Sequence, residues 1–424
     1  MNTYSSYKDS GVEWIGDIPS EWDSLKLKYI FSEKPITHNT ELNCGSISFG
    51  RVVFKDNDKV PISTKKSYQE VLEGEYLINP LNLNYDLKSL RIGLSDIDVV
   101  VSSGYIVIKN RIEISKSYYK WLLHIYDILH MKLLGSGVRQ TISFNHISNS
   151  ILTYPPLHEQ QQISDYLDYK TSKIDILIEK TEQKIELLKE QRTSLINTTV
   201  TKGLNPNVEM KDSGVEWIGE IPSKWKTTRL KYIFKLREEK TDTGEGELLT
   251  VTITKGIVRR RDFIKKGDHL SRSKSLKGYK VCYTNDLVNN IMKMGFRCLG
   301  ISDYNGIVSP AYSVFSFINN KNKPMYWDYL LRTDLYVTEY KKRSKGIQES
   351  RMRLYDDYFL DIVSIVPPHQ EQQQIVDYLD KENSKLDKLI DIESKRIKLL
   401  KEYRQSLISD VVTGKVDVRD EVLG

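Results

Sequence analysis

The residues best suited to chemistry are cations, and they gather in the second half of the chain. Lys255–Lys277 (KGIVRRRDFIKKGDHLSRSKSLK) holds nine Lys or Arg against two Asp. Lys341–Arg353 (KKRSKGIQESRMR) holds six against one Glu. Such side chains neutralise phosphates and release their counterions. Arg, Gln, Asn and Ser beside them suit base edges in a groove. The candidate contacts here are Arg259, Arg260, Arg261, Lys265, Lys266, Arg272, Lys274, Lys293 and Arg297. A solvated, lysine-rich surface explains any one run; two runs in one domain weaken that explanation. In the first half the candidates are sparser: Lys88 and Arg91, then GSGVRQTISFNH from Gly135. Gly135 and Gly137 make a turn there that presents Arg139 and Gln140. SKGIQESRMRLYDD holds the comparable place in the second half, with Lys345, Gly346, Gln348, Arg351 and Arg353. A Gly-led loop carrying Gln and Arg suits base reading, and an ordinary hairpin is the equal alternative.

Other chemistry is missing. No Walker A loop, HExxH, GxSxG or kinase motif occurs, so the usual phosphate cradle and the common hydrolase and zincin sites are excluded. Asn79-Pro80-Leu81-Asn82 lacks the second proline and the aromatic of the adenine-methyltransferase motif it faintly resembles. Asp334 with Glu339-Tyr340-Lys341 has nuclease-type residues, but it falls on a predicted helix, where charged triplets are common. The seven histidines are scattered, and Cys44, Cys282 and Cys298 form no CxxC pair. No catalytic residue, metal ligand or cofactor is expected in this chain. The net charge of +6 permits a polyanionic partner without establishing one. No apolar run reaches the length of a membrane span, and the N-terminus lacks a signal-peptide core. The expectation is a soluble, cytoplasmic protein.

These candidates sit inside a duplicated frame. DSGVEWIGDIPSEW, from Asp9, returns as DSGVEWIGEIPSKW, from Asp212. Asp9–Phe31 and Asp212–Phe234 differ at only six of 23 positions. PPLHEQQQISDYLD, from Pro155, returns as PPHQEQQQIVDYLD, from Pro367. A weaker echo lies between: GLSDIDVVVSSGYIV from Gly93, and GISDYNGIVSPAYSV from Gly300. The ends of the unit are constant while the middle drifts. Trp14, Trp22, Trp217 and Trp225 read as packing anchors rather than base-stacking groups.

After each Pro-Pro the pattern turns helical, because proline disfavours helix before it and permits one after. Glu159 and Glu371 fall in the first turn, where the helix dipole favours anions. Leu167, Ile174, Ile178, Ile185, Leu188 and Leu195 follow a heptad seam, as do Leu379, Leu386, Ile390, Ile397, Leu400 and Leu407. Thr181 and Glu393 interrupt the seams at equivalent places and are candidates for fixing register. Two such helices in one chain are expected to pack on each other; packing on a partner protein competes with that reading. TKGLNPNVEMK, from Thr201, joins the halves. The interiors read as mixed α/β, with strands such as Val99–Val101, Ile106–Ile108, Leu248–Ile253 and Ala311–Phe317. Tyr118–Leu134 and Met325–Lys341 read as amphipathic helices.

Together the three recurring boxes, in order, resemble the specificity subunit of type I restriction–modification systems over essentially the whole chain. One departure is SSGY (Ser102–Tyr105) where the second half reads SPAY (Ser309–Tyr312). The resemblance implies an α+β protein of two mixed α/β target-recognition domains, each followed by a long helix. The helices would pack as an antiparallel coiled coil with pseudo-twofold symmetry. Expected boundaries are 1–154 and 212–366 for the recognition domains, and 155–200 and 367–413 for the helices. A linker at 201–211 and a tail at 414–424 complete the chain. Each domain would read one half of a bipartite site on double-stranded DNA, with the helices setting the spacer. Implied partners are two copies of the methylation subunit, which use S-adenosylmethionine, and motor-nuclease restriction subunits, which use ATP and Mg. Two other readings stay open: an orphan or antirestriction relative, and a coiled-coil scaffold that binds only protein.

Overall fold

A computed structural model of the chain describes residues 2–56, 60–81, 90–134, 142–263, 275–346 and 352–421. It divides into two compact units, Met1–Glu182 with Lys395–Gly424, and Gln183–Ser394. Each unit thus holds one mixed α/β body and a stretch of both long helices.

In the first unit a four-stranded antiparallel sheet runs in the order Phe31–Glu33, Ile106–Asn110, Tyr76–Ile78, Ile92–Leu94. Successive side chains of a strand point to opposite faces. Phe31, Tyr76, Ile78, Ile106 and Ile108 enter the larger core, while Leu77 and Val107 join Val52, Val71, Val99 and Val101 in a smaller one. Burial on both faces explains why these runs are continuously apolar instead of alternating. Helix Lys116–Leu129 buries Tyr118, Tyr119, Leu122, Ile125 and Tyr126. Its N-terminus is capped by Ser115 Oγ, which accepts from the Tyr118 N–H at 3.3 Å. A 3₁₀ turn, Met131–Leu133, continues it, so the single helix expected to Leu134 ends at Leu129.

The second unit repeats that sheet order with Phe234–Leu236, Tyr312–Phe317, Leu287–Asn290 and Leu299–Ile301. The strands expected at Leu248–Ile253 and Ala311–Phe317 are Leu249–Thr252 and Tyr312–Phe317. The helix expected over Met325–Lys341 is two helices, Pro324–Leu331 and Asp334–Arg343. At the break the Arg332 guanidinium leaves the helix to donate to the carbonyls of Leu299, Ile253 and Thr254. Thr333 then takes an extended backbone and donates its hydroxyl to Leu330 O.

The long helices are Leu157–Lys202 and His369–Val412. Pro156 O accepts from Glu159 N and Gln160 N, and Pro368 O from Gln372 N, closing the first turns. In the first unit the helix segments run antiparallel: Asp175 takes two bonds from Arg404, and Glu182 meets Lys401 at 3.5 Å. In the second unit Lys184 pairs with Glu393 and Arg192 with Asp387, again antiparallel. Leu167, Ile174, Ile178, Ile185, Leu379, Leu386 and Leu407 are buried seam residues. A buried Leu or Ile contributes about 1.5–3 kcal/mol, against at most about 1 kcal/mol for an exposed ion pair. The seam therefore supplies the stability, and the ion pairs select direction and register. The polar interruptions are accommodated locally: Thr181 donates back to Leu177 O, and Glu393 takes Lys184.

The repeated boxes dock each body on its helices. Gln160, fully buried, accepts from the N–H of the cap residue Ser115 and donates to Pro155 O. Gln372 does the same with Lys323 N and Pro367 O. Asp168 accepts from Trp121 Nε1 and Asp380 from the Tyr329 hydroxyl. Tyr118 donates to Val412 O, and Tyr326 to Val200 O, each at 3.0 Å. Trp22 and Trp225 are fully buried, as their packing role requires. Each lies against the glycine that ends a long helix, Gly414 and Gly203 respectively, both in the left-handed region. A side chain at Gly414 would overlap the Pro19 ring. Among the described residues no helix is long and apolar enough to cross a membrane.

Candidate nucleic-acid interface

In each unit, the chain leaving a central strand of the sheet meets the chain that enters a short helix far along the sequence. In the first, Ile142 N donates to Pro80 O at 3.1 Å. Pro80 and Ile142 are therefore neighbours although far apart in sequence. Lys88, Arg139 and Gln140 lie outside the described residues. In the second unit Leu354 N donates to Ile291 O at 2.9 Å, the equivalent tie. Lys345 and Arg353 exchange backbone bonds at 2.9 Å and close the base of the Gly346 loop. Gln348 and Arg351 in that loop, and Lys265, Lys266, Arg272 and Lys274, also lie outside the described residues.

Arg91 is corrected. It is buried, its Nε lies 3.0 Å from Asp127 Oδ1, and its own N–H donates to Asp127 Oδ2 at 2.5 Å. A guanidinium held this way inside the first unit is a core ion pair, not a groove contact.

The arginine triplet lies at the open end of the hairpin formed by Leu249–Thr252 and Gly256–Arg259, where Arg259 pairs with Leu249 and the chain enters the short helix Arg260–Phe263. Arg259 lies over the Tyr304 ring at 4.7 Å, and Arg261 Nη2 is 2.9 Å from Glu247. Arg260 is half-buried, and its N–H donates to Leu248 O. The triplet is thus anchored to its own unit more than its sequence suggests. Lys293 and Lys345 are exposed, with the Lys345 ammonium 4.3 Å from the Tyr358 ring centroid. Arg297 has φ +60° and pairs with Asp334.

Several residues that join this surface were not singled out from sequence. Lys341, Lys342 and Arg343 form the last turn of Asp334–Arg343, where cations offset the helix dipole. That helix lies against the 291–298 hairpin, with Lys341 Nζ 5.8 Å from the Phe296 ring centroid. The KKR run was visible in sequence; its meeting with Lys293 and Arg297, some 45 residues earlier, was not. Arg353, which the sequence did single out, is exposed.

The nuclease-like grouping dissolves. Asp334 pairs with Arg297, Glu339 with Arg343, and the buried Tyr340 donates to Leu331 O. Asn79 is spent on a turn, accepting from Leu81 N. A cavity of about 530 Å³ in the second unit has Arg192, Lys255, Arg297, Asp328 and Arg332 in its wall. Its arginines are matched internally, by Asp387, Asp334 and backbone carbonyls. Burial raises the Asp328 pKa, and its carboxyl accepts from Ile301 N at 2.8 Å. No grouping of three or more His, Cys, Asp or Glu able to hold a metal occurs among the described residues.

Comparison with known proteins follows the same duplication. The family model for the type I restriction modification DNA specificity domain matches twice, over residues 19–187 and 222–402. Each match opens on the proline of a tryptophan box and closes within a long helix. Among solved structures the chain is similar to the HsdS subunit from Thermoanaerobacter tengcongensis. The identity is 14% and the TM-score 0.53, over 94% of this chain and 98% of that one. It is also similar to a chain from a structure of type I R-M complex assembly and conformational transition. There the identity is 13% and the TM-score 0.59, over 94% and 99% of the two chains. At such identities the likeness shows the fold. The search of curated proteins returned no match.

Proposed function

The chain belongs to the type I restriction–modification DNA specificity family, and from that premise we propose how it divides its labour. Each unit reads one half of a bipartite target on double-stranded DNA. The two long helices set the spacer between the halves. The chain is a non-catalytic subunit that scaffolds two copies of the methylation subunit and the restriction subunits. It holds no cofactor of its own; S-adenosylmethionine, ATP and Mg serve those partners.

The observation that carries this reading is a backbone tie that recurs in both units, Ile142 to Pro80 and Leu354 to Ile291, between points far apart in sequence. The surrounding boxes are nearly identical in the two halves, and the sequences beside the ties differ. A constant frame suits a partner present in two identical copies. Differing sequences beside the ties suit two different half-sites, because base edges specify and backbone contacts only position.

Methylome sequencing of cells carrying this chain with its methylation subunit tests the reading. The expected result is one adenine-methylated motif in two parts with a fixed gap. A chain that supports no such motif, although its complex assembles, overturns it.

A further inference from the structure

We propose that Met292 and Phe296, at the tip of the 291–298 hairpin in the second unit, contact the 5-methyl group of a thymine in one half-site. This rests on the DNA-reading function above and names residues that add base discrimination to it.

The tip alternates in a telling way. Met294 is buried at 1% exposure, while its neighbours Met292 and Phe296 stand 38% and 43% exposed. The part of each side chain that stays in water adds nothing to folding. These two are nevertheless held in place. The Met294 side chain enters the core, and Arg297, in a left-handed conformation, ties the end of the tip to Asp334. Gly295 approaches helix Asp334–Arg343 so closely that a Cβ would come within 3.0 Å of Lys341 Cγ. Holding contact groups in place before binding reduces the ordering cost of association.

The surroundings indicate the occupant. Exposed Lys293 lies in the tip itself, exposed Lys341 lies beside Phe296 with Lys342 next to it in the helix, and exposed Arg353 precedes Leu354, whose N–H is tied to Ile291 O. The two acidic residues of helix Asp334–Arg343, Asp334 and Glu339, are already paired with Arg297 and Arg343. An apolar tip ringed by cations fits a polyanion that also presents apolar groups. In DNA those groups are the thymine methyls of the major groove. The alternative, a wedge inserted between base pairs, belongs to minor-groove binding that kinks the duplex. Lys341 Nζ lies 5.8 Å from the Phe296 ring centroid, so a cation able to meet a phosphate stands beside the apolar contact.

The test uses the assembled complex of this chain with its methylation subunits, once the methylated motif is known. Thymines of both half-sites are replaced one at a time by deoxyuridine, which removes only the methyl. Binding by the unmodified chain is expected to weaken about fourfold at one thymine of one half-site, the loss expected for one buried methyl-sized group. Met292→Ala and Phe296→Ala are expected to bind thymine and uracil duplexes alike at that position and to keep any discrimination at the other half-site. Met292→Ala guards against a collapsed hairpin in Phe296→Ala, because Met294 and Arg297 still anchor the tip. Equal binding of every uracil duplex by the unmodified chain overturns the proposal. So does full discrimination by both variants. A complex that binds no motif at all overturns the function itself, and the proposal with it.

Discussion

At the scale of the residue, charge alone was a poor guide to exposure. Arg91 shows why: nothing near it in sequence announces that Asp127 neutralises it from the helix Lys116–Leu129. Removing one partner of a buried ion pair leaves an uncompensated charge, at about 3–5 kcal/mol. Arg91→Met should therefore lower stability by about that amount, while Arg91→Met with Asp127→Leu recovers much of it. Denaturant unfolding of the chain in its complex measures both, and the methylated motif of whatever folds should be unchanged. A motif relaxed in one half-site, at undiminished stability, would return Arg91 to the DNA interface. The arginine triplet teaches the same lesson more gently. Arg259 and Arg261 are engaged by Tyr304 and Glu247, partners that no local pattern links to them.

At the scale of the element, what was legible in sequence is what duplication and periodicity reveal. The long helices, their seams, the buried tryptophans and the principal strands all follow from heptads, short apolar β-rich runs and repeated boxes. The break at Arg332–Thr333 was not legible, since it exists to let a guanidinium reach three carbonyls on other elements. The glutamines of the EQQQI box were also missed, because a polar run at a helix start reads as solvated surface. One glutamine in each run is instead fully buried and bridges two elements. Gln160 and Gln372 each serve one backbone donor and one backbone acceptor. Leaving such groups unpaired costs about 1–3 kcal/mol apiece. Gln160→Leu and Gln372→Leu should each lower stability by roughly 2–4 kcal/mol, summing two such groups with some relaxation. Thermal unfolding reads the loss. Unchanged midpoints in both variants would mean that the boxes do not dock the α/β bodies through these residues.

At the scale of the whole molecule, the two long helices are the elements whose residues contribute to both units. At 46 and 44 residues, and about 1.5 Å per residue, each is about 65–70 Å long. That length suits a spacer-setting role, because helix length fixes distance in steps of about 1.5 Å per residue. The docking contacts cluster toward the helix ends, leaving the stretch around Leu188 and its opposite neighbour Ile390 to the seam. Insertion of seven residues after both Leu188 and Ile390 preserves the heptad register. It lengthens the pair by about 10 Å, close to three base pairs at about 3.4 Å each. The expected outcome in methylome sequencing is a motif with both half-sites intact and a gap longer by about three base pairs. Inserting in one helix alone breaks the seam and should abolish methylation through loss of folding, visible as a lowered unfolding midpoint. Should the matched double insertion fold, methylate and keep the original gap, the helices do not set the spacer. The distance between half-sites would then be carried by the partner subunits.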